Sequence, residues 1–170
     1  MNDRAPAPGG LALIESLVNT LSVDTGADAL DTEDGRAAFG LEEADVPAAR
    51  KLREALRAAC LAHAGHTAPG HHPSDLNRIL AGAPLRVRVD GAGAATLHPA
   101  TEADGLTSRV AAAIAEAAAE GTWLRLKACE AEDCLWAYYD RSPGGRSRWC
   151  SMAVCGSRAK MRAYRARRVG

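Results

Sequence analysis

The stretch KACEAEDCLWAYYDRSPGGRSRWCSMAVCGSR, residues 127–158, contains four of the five cysteines in the chain. Cys129, Cys134, Cys150 and Cys155 follow the pattern C-x4-C-x15-C-x4-C. Such a pattern has two interpretations, a disulfide framework or a metal site. Four thiolates in two short-range pairs suit one tetrahedral zinc ion. Because four sulfurs would complete its coordination, the predicted ion is structural and not catalytic.

The rest of the sequence favours the metal over disulfides. Near the N-terminus the apolar run is interrupted by Glu15 and Asn19, which makes it a poor secretion signal. No segment approaches the roughly 18 uninterrupted apolar residues of a membrane span. We therefore expect a cytoplasmic protein with no membrane partner, in a compartment where structural disulfides are rare. Residues 121–170 contain few large aliphatic side chains, so we expect this region to need zinc to fold.

Charge divides the chain into two halves. Residues 121–170 carry eleven Lys or Arg against four acids, a net charge of +7. Residues 1–120 carry ten bases against seventeen acids, a net charge of −7. No acid follows Asp140, whereas nine bases do. Such asymmetry is typical of a nucleic-acid-binding module, with a solubilising tail as the alternative.

The segment after Cys150 has the composition of a helix. Ser151 is a candidate N-cap, and Val154, Met161 and Tyr164 are predicted to face the zinc site. Strand-like residues on both sides of the first cysteine pair and the turn RSPGGR complete a treble-clef or zinc-ribbon-like module. The predicted nucleic-acid contacts are the basic residues of the turn and helix, Arg146, Arg148, Arg158, Lys160, Arg162, Arg165, Arg167 and Arg168.

These basic residues cannot share one role, because on a helix they cover much of the circumference. Arg158 or Arg162, close to the last predicted zinc ligand, is the candidate for reading bases. Arg165, Arg167 and Arg168 lie near a fraying terminus and are predicted to contact phosphates. A structural role for Arg158, bonding to Asp140 or to a zinc-bound sulfur, is the alternative.

At residues 125–168 the sequence resembles the CGNR zinc finger, a C-terminal module of bacterial proteins regarded as transcriptional regulators. The resemblance rests on the four cysteines, Asp140, the basic turn before RWCSM and the basic helix. The motif that names the family reads CGSR here, with Ser157 where asparagine is usual. The stretch GGLALIESLVNTL is similar to the opening of the ABATE domain, which usually precedes this finger and is linked to stress. Asn19 and Thr20 match its Asn-Thr pair.

The first 120 residues read as mostly helical. Predicted helices include Val46 to His63, a segment near HPSDLNRIL and one ending at Gly121, besides an N-terminal helix with an apolar face. The members of that face are Leu11, Ile14, Leu17, Val18 and Leu21. LRVRVDGAGAATLHP alternates apolar and polar residues around a turn and predicts a β-hairpin. We expect a mainly α fold with a β-hairpin, divided into a helical domain 1–120 and a zinc module 121–170.

Other features of the N-terminal half have structural interpretations. Cys60 is predicted to be a small core residue, and Asn19 and Thr20 to cap or end the first helix. His63, His66, His71 and His72 lie in a loop that is either solvated or a second metal site. The acids of the N-terminal half are interpreted as a solvent-facing surface, and they are Glu15, Asp24, Asp28, Asp31, Glu33 and Asp34.

The predicted function rests on the zinc module. No nucleophile elbow, metalloprotease helix or phosphate loop is present, so we expect no enzyme. The sequence predicts a DNA-binding regulator whose helical domain senses a small-molecule effector or forms a homodimer. One alternative is an RNA-binding or ribosome-associated protein. Another is a small-molecule-binding or protein-interaction domain with a basic localising tail. We also expect the chain truncated after Gly121 to remain a folded helical domain that no longer binds nucleic acid.

Overall fold

The structure, a computed structural model, describes residues 4–67, 73–100 and 105–169. Its fold is mainly helical with two small antiparallel strand pairs, as predicted. The helices are α1 (Leu11–Val18), α2 (Glu33–Ala37), α3 (Val46–His63), α4 (Pro73–Leu80), α5 (Leu106–Ala119) and α6 (Ser157–Val169). The strands are β1 (Leu85–Val89), β2 (Ala95–Pro99), β3 (Leu126–Ala128) and β4 (Ala137–Tyr139). Short 3-10 turns span Ala29–Asp31, Glu43–Asp45 and Trp123–Arg125.

The predicted helices follow their apolar spacing. The apolar face of α1 is buried, and α3 buries Leu52, Leu56 and Cys60 on one side, so Cys60 is a core residue as predicted. Pro47 occupies the first turn of α3, where its missing N–H costs nothing. Helix α1 ends at Val18, so Leu21 lies beyond it and pairs with Asp28 in an isolated antiparallel bridge.

The β-hairpin forms in the predicted place. Leu85 pairs with Pro99 and Val87 with Leu97, and the turn is held by Asp90, whose carboxylate accepts hydrogen bonds from the backbone of Ala92 and Ala94. The alternation of apolar and polar residues in the hairpin does not produce a buried face, because Val87 and Val89 are each 66 % exposed. Only the end of the hairpin nearest α5 is partly buried.

One hydrophobic core spans both halves of the chain. Strand β3 contacts α3, and β4 contacts α1. Leu126, Ala128, Ala137 and Tyr139 from these strands belong to the same buried cluster as the apolar faces of α1, α3 and α5. The two strands on either side of the first cysteine pair therefore pack against the helices and share their core.

Polar side chains also join the two halves. The Asn19 amide donates to the Ala137 carbonyl (3.0 Å) and accepts from the Ala137 N–H (2.7 Å), so it pairs with β4 as a neighbouring strand would. The His63 Nδ1 lies 2.7 Å from the Leu126 carbonyl oxygen. Thr20 has the predicted local role, since its hydroxyl donates to the Leu17 carbonyl. Asn19 is the C-cap of α1 as predicted, since its N–H donates to the Glu15 carbonyl at 3.0 Å, but its side chain bonds far from its own helix.

Two of the acids predicted to face solvent have buried side chains instead. Glu15 accepts a hydrogen bond from the Ala7 N–H at 2.6 Å. Asp28 is bonded by Arg50 and Arg53 at 3.0 and 2.8 Å, and its side chain is 6 % exposed. Arg53 is itself 4 % exposed, so Asp28 and Arg53 form a buried ion pair between α3 and the loop that joins α1 to α2. Each acid is buried with donors that satisfy it, which local composition does not reveal.

Candidate metal centre

The four cysteines of the first stretch meet at one point. Their sulfurs all lie within 4.8 Å of one another, although Cys129 and Cys155 are far apart in sequence. The Sγ atoms of Cys134 and Cys150 are 3.6 Å apart, and those of Cys150 and Cys155 are 3.7 Å apart. Four sulfurs at about 2.3 Å from a central zinc ion would stand about 3.8 Å from one another in a tetrahedron. The sulfur cluster therefore has a size compatible with a tetrahedral zinc site, and none of its cysteines forms a disulfide.

The first cysteine pair sits in a tight knuckle between β3 and β4. The N–H groups of Cys134 and Leu135 both donate to the Ala131 carbonyl, at 2.8 and 3.1 Å. Leu135 has a φ of +52°, a left-handed conformation that is uncommon outside glycine. This turn reverses the chain so that the Cys129 N–H donates to the Trp136 carbonyl at 2.9 Å. Both cysteines of the pair thus lie on the same side of the knuckle.

In the second pair, Cys150 precedes and Cys155 lies within a π-helical turn, Met152–Gly156, that leads directly into α6. The Ser151 hydroxyl accepts from the Val154 N–H, so Ser151 is a cap as predicted, but for this turn and not for an α-helix. A Cβ atom at Gly156 would lie 3.0 Å from the sulfur of Met152 and 3.3 Å from a ring carbon of Trp149. A side chain at this position of the CGSR motif would therefore have to displace Met152 and Trp149 by a few tenths of an ångström, which close packing avoids with glycine. The Ser157 hydroxyl, where asparagine is usual, donates to the Met152 carbonyl at 3.2 Å.

The electrostatics of the cluster call for a cation. Hydrogen bonding to Cys129 and Cys134, together with burial, raises the pKa of the Cys150 thiol. Four thiolates this close would repel one another, so all four ionise together only when a bound cation offsets their charge. Arg158 contributes further positive charge, since its guanidinium donates to the Cys155 sulfur at 3.3 Å and to the Asp133 carboxylate at 3.1 Å.

Asp140 anchors the basic turn behind the cluster. Its carboxylate is fully buried and accepts from the Lys127 ammonium at 3.0 Å and from the N–H groups of Ser142 and Ser147. Burial alone would raise the pKa of Asp140, but the hydrogen bonds from Ser142 and its other donors outweigh it and hold that pKa well below its usual range. Lys127 also donates to the Gly145 carbonyl. One buried ion pair thus ties β3 and β4 to residues 142–147.

We expect Asp140→Asn to lower the free energy of unfolding by about 3–5 kcal/mol, because it leaves the buried Lys127 ammonium without its counter-charge. Asp133→Asn is the matched control, since Asp133 pairs with Arg158 at the surface and its loss should cost less than about 1 kcal/mol. Chemical denaturation of both variants, with zinc content measured in parallel, checks this. Equal losses for the two variants would contradict the structural role of Asp140.

The predicted nucleic-acid contacts differ in their surroundings. Arg148 pairs with Glu130, Arg162 lies 3.6 Å from Asp133, and Arg168 bonds to the Tyr164 hydroxyl. Within the described part of the chain, four others have no ion pair, namely Arg146, Lys160, Arg165 and Arg167. Their role in binding stays a prediction.

Helix α6 does not pack as the sequence indicated. Val154, Met161 and Tyr164 were predicted to face the zinc site, yet they are 52 %, 52 % and 49 % exposed. The interior of the zinc module is filled instead by Tyr138 and partly by Trp136 and Trp149, together with the cysteines. Aromatic side chains from the strand and turn thus fill the interior, and the predicted orientation was wrong for Met161 and Tyr164. Val154, in the π-helical turn, does line a cavity beside Cys134, Cys150 and Cys155.

The described histidines of the histidine-rich loop contact other side chains and do not form a metal site. His63 packs edge-on against Trp123 with ring centroids 4.8 Å apart, and desolvation lowers its pKa. His66 lies 3.5 Å from Glu130. His71 and His72 fall outside the described residues, so a second site that uses them stays untested. Over residues 4–67, 73–100 and 105–169, only the four cysteines bring metal-ligating atoms together in a group of three or more.

A membrane span has no candidate among the described residues, since no helix there is long and apolar enough to cross a bilayer.

Comparison with known families agrees with this geometry. Residues 125–168 match the CGNR zinc finger, and residues 11–121 match the ABATE family, described as "putative stress-induced transcription regulator". No curated protein shows significant similarity to the chain. The CGNR match and the cluster of four cysteine sulfurs together identify the cofactor as one structural zinc ion. With the larger part of its length matched by the ABATE profile and its last quarter by the finger, the chain belongs to the ABATE family and carries a C-terminal CGNR zinc finger.

Proposed function

We propose that this protein is a zinc-dependent DNA-binding transcriptional regulator of the cytoplasm. One observation supports this proposal most strongly. Helix α6 begins just after the last cysteine of the zinc centre and exposes nearly its whole surface. An exposed helix that has several basic residues and no acidic residue, and that is held at one end by a metal site, is suited to binding a polyanion such as nucleic acid. The exposed Met161 and Tyr164 add apolar surface that favours a partner with both phosphates and bases.

The zinc ion has a supporting role in this proposal. With four sulfurs around it, no coordination position remains for water, so it organises the module and takes no part in catalysis. It fixes the π-helical turn Met152–Gly156 and hence the direction in which α6 leaves the finger. The family descriptions, a transcription regulator and a zinc finger, support a regulator over an enzyme.

The contacts divide the arginines of α6 between two roles. Arg158 bonds to the Cys155 sulfur and to Asp133, which supports a structural role for it at the zinc centre. Arg162, one turn later, lies 3.6 Å from Asp133 and is 56 % exposed, so it is the better candidate for reading bases. Arg165 and Arg167, toward the end of the helix, are assigned to phosphates.

Selection of bound sequences from random duplex DNA, with and without zinc, tests the proposal. Enrichment of a common site by the zinc-loaded protein alone would support it. Competition of the selected duplex against structured RNA then separates a DNA regulator from an RNA-binding protein, because the same charge would also serve an A-form backbone. Preference for RNA, or absence of any enrichment, would contradict the proposal.

On the selected site we expect Arg162→Ala to weaken binding by about 1–3 kcal/mol and to relax preference at one base pair. We expect Arg165→Ala to weaken a selected and a scrambled duplex alike and to reduce the slope of log K against log salt by about 0.9. Fluorescence anisotropy on both duplexes at several salt concentrations measures both effects.

Arg158→Ala is the control for this pair of variants. Because its guanidinium bonds to a zinc ligand, we expect it to lower the thermal stability of the protein, whereas Arg162→Ala should not. Equal losses on both duplexes for Arg162→Ala would leave a nonspecific clamp in place of a base reader.

A further inference from the structure

The N-terminal residues 4–7 lie across the zinc finger. Arg4 donates from Nε to the Cys150 carbonyl at 2.8 Å and from a terminal nitrogen to the Trp149 carbonyl at 3.0 Å. Its guanidinium carbon stands 4.6 Å from the centroid of the Tyr138 ring. Residue 4 precedes both family matches, which begin at residues 11 and 125. The structure thus adds to the finger a residue that neither match contains.

Two further contacts fix this N-terminal segment. Arg141 of the basic turn donates to the carbonyls of Ala5 and Pro6 at 2.8 and 2.7 Å. Ala7 is buried, and its N–H donates to the buried Glu15 of α1. Held at both ends, the segment places Arg4 at a defined position beside the second cysteine pair.

At that position Arg4 lines a cavity of about 180 Å³ together with residues of the turn before Cys150. The lining residues are Arg4, Arg146, Ser147, Arg148, Trp149 and Met152. Three arginines therefore line one pocket together with a tryptophan. Arg148 stands 5.3 Å from the centroid of the Trp149 ring and is paired with Glu130, so its own charge is balanced within the protein.

We infer that this pocket is a phosphate-binding site for the backbone of the nucleic acid, with Arg4 and Arg146 as its ligands. The inference rests on the proposed function and extends it to residues outside α6. Guanidinium groups offer N–H donors in a planar fork that matches phosphate oxygens, and several of them in one concave site bind phosphate better than scattered surface charges. Trp149 and Met152 supply apolar surface for the sugar that accompanies each phosphate.

The position of the pocket fits a continuous track. Met152, in its wall, is the first residue of the π-helical turn that leads into α6. A strand whose phosphate occupies the pocket would therefore meet α6 within a short distance along its backbone. A free phosphorylated small molecule offers the same chemistry, and the experiment distinguishes the two sources.

The test uses the zinc-loaded full chain and a labelled 20-base-pair duplex, with binding followed by anisotropy over several salt concentrations. We expect Arg146→Ala and Arg4→Ala each to weaken binding about tenfold and to reduce the salt slope by about 0.9, and the double variant to reduce it by about 1.8. Arg88→Ala, which removes the same charge from the β-hairpin, is the matched control and should leave the slope unchanged.

Folding is checked by zinc content and thermal melting. Arg4→Ala also removes two hydrogen bonds to the finger, so Arg146→Ala, whose side chain bonds to no described residue, keeps the test valid if the Arg4 variant is unstable. Wild-type slopes in both variants, with duplex binding intact in the unaltered chain, would overturn this site and leave the proposed function standing. No duplex binding by the unaltered chain would overturn the proposed function itself.

Calorimetric titration with inorganic phosphate provides the second arm. Phosphate binding that is lost in Arg146→Ala, combined with an unchanged salt slope on duplex DNA, would overturn the assignment to a nucleic-acid backbone in favour of a small phosphorylated ligand.

Discussion

A chain carrying Cys134→Ser and Cys150→Ser is expected to bind no zinc and to lose its cooperative folded state, well beyond the finger itself. Structural zinc supplies about 10–16 kcal/mol of binding free energy, as much as the whole stability of a typical domain. The finger contributes β3 and β4 to the core that also holds α1, α3 and α5. Loss of the metal should therefore also destabilise the packing of the helices, because Leu126, Ala128 and Ala137 belong to their core.

Elemental analysis and thermal melting by circular dichroism measure this effect, and a chelator added to the unaltered chain should reproduce it. Cys60→Ala is the matched control, because it removes the one cysteine outside the cluster and should leave one zinc per chain, with only the cost of a small core cavity. Full zinc retention in the double variant would contradict the assignment of the four ligands. An unchanged melting transition after zinc loss would contradict the shared core.

Truncation after Gly121 is expected to abolish nucleic-acid binding and also to leave a poorly packed helical remainder. It removes four members of the core, among them the fully buried Leu126 and the almost fully buried Tyr139. Removal of one large core side chain alone costs about 2–5 kcal/mol, which against a total stability of about 5–15 kcal/mol leaves little margin for four. Asn19 and His63 would also lose the backbone groups of β4 and β3 that they bond.

The matched control is a chain that ends at residue 158, which keeps all four cysteines and Arg158 but lacks the exposed part of α6. We expect that chain to bind zinc, to melt close to the full-length protein and to bind duplex DNA far more weakly. Melting curves and the dispersion of amide NMR signals compare the two truncations. A chain 1–121 with well-dispersed signals and a melting temperature like that of the full chain would show that the core does not need the finger strands. It would restore the expectation, drawn from the sequence, of a helical domain that folds alone.

The zinc module was the most predictable part of this protein because its evidence is local. Only four residues separate the two cysteines of each pair, and this short spacing lets both of them bind the same ion. The apolar spacing of α1 and α3 and the turn residues of the hairpin are local in the same sense, since a helix or hairpin repeats over a few residues. The concentration of positive charge after Asp140 is likewise visible from composition alone.

Only the tertiary structure decided which residues far apart in sequence meet. Asn19 ends α1 as predicted, because its cap bonds are local, but the partner of its side-chain amide is β4, more than a hundred residues away. Glu15 and Asp28 carry charge that by itself predicts exposure, and each is buried by donors from another segment. Arg4 reached the finger for the same reason, through carbonyls that any residue could offer. A local pattern determined the elements and the metal ligands, but pairing between elements depends on shape and on backbone groups that every residue shares, so it became visible only in the folded chain.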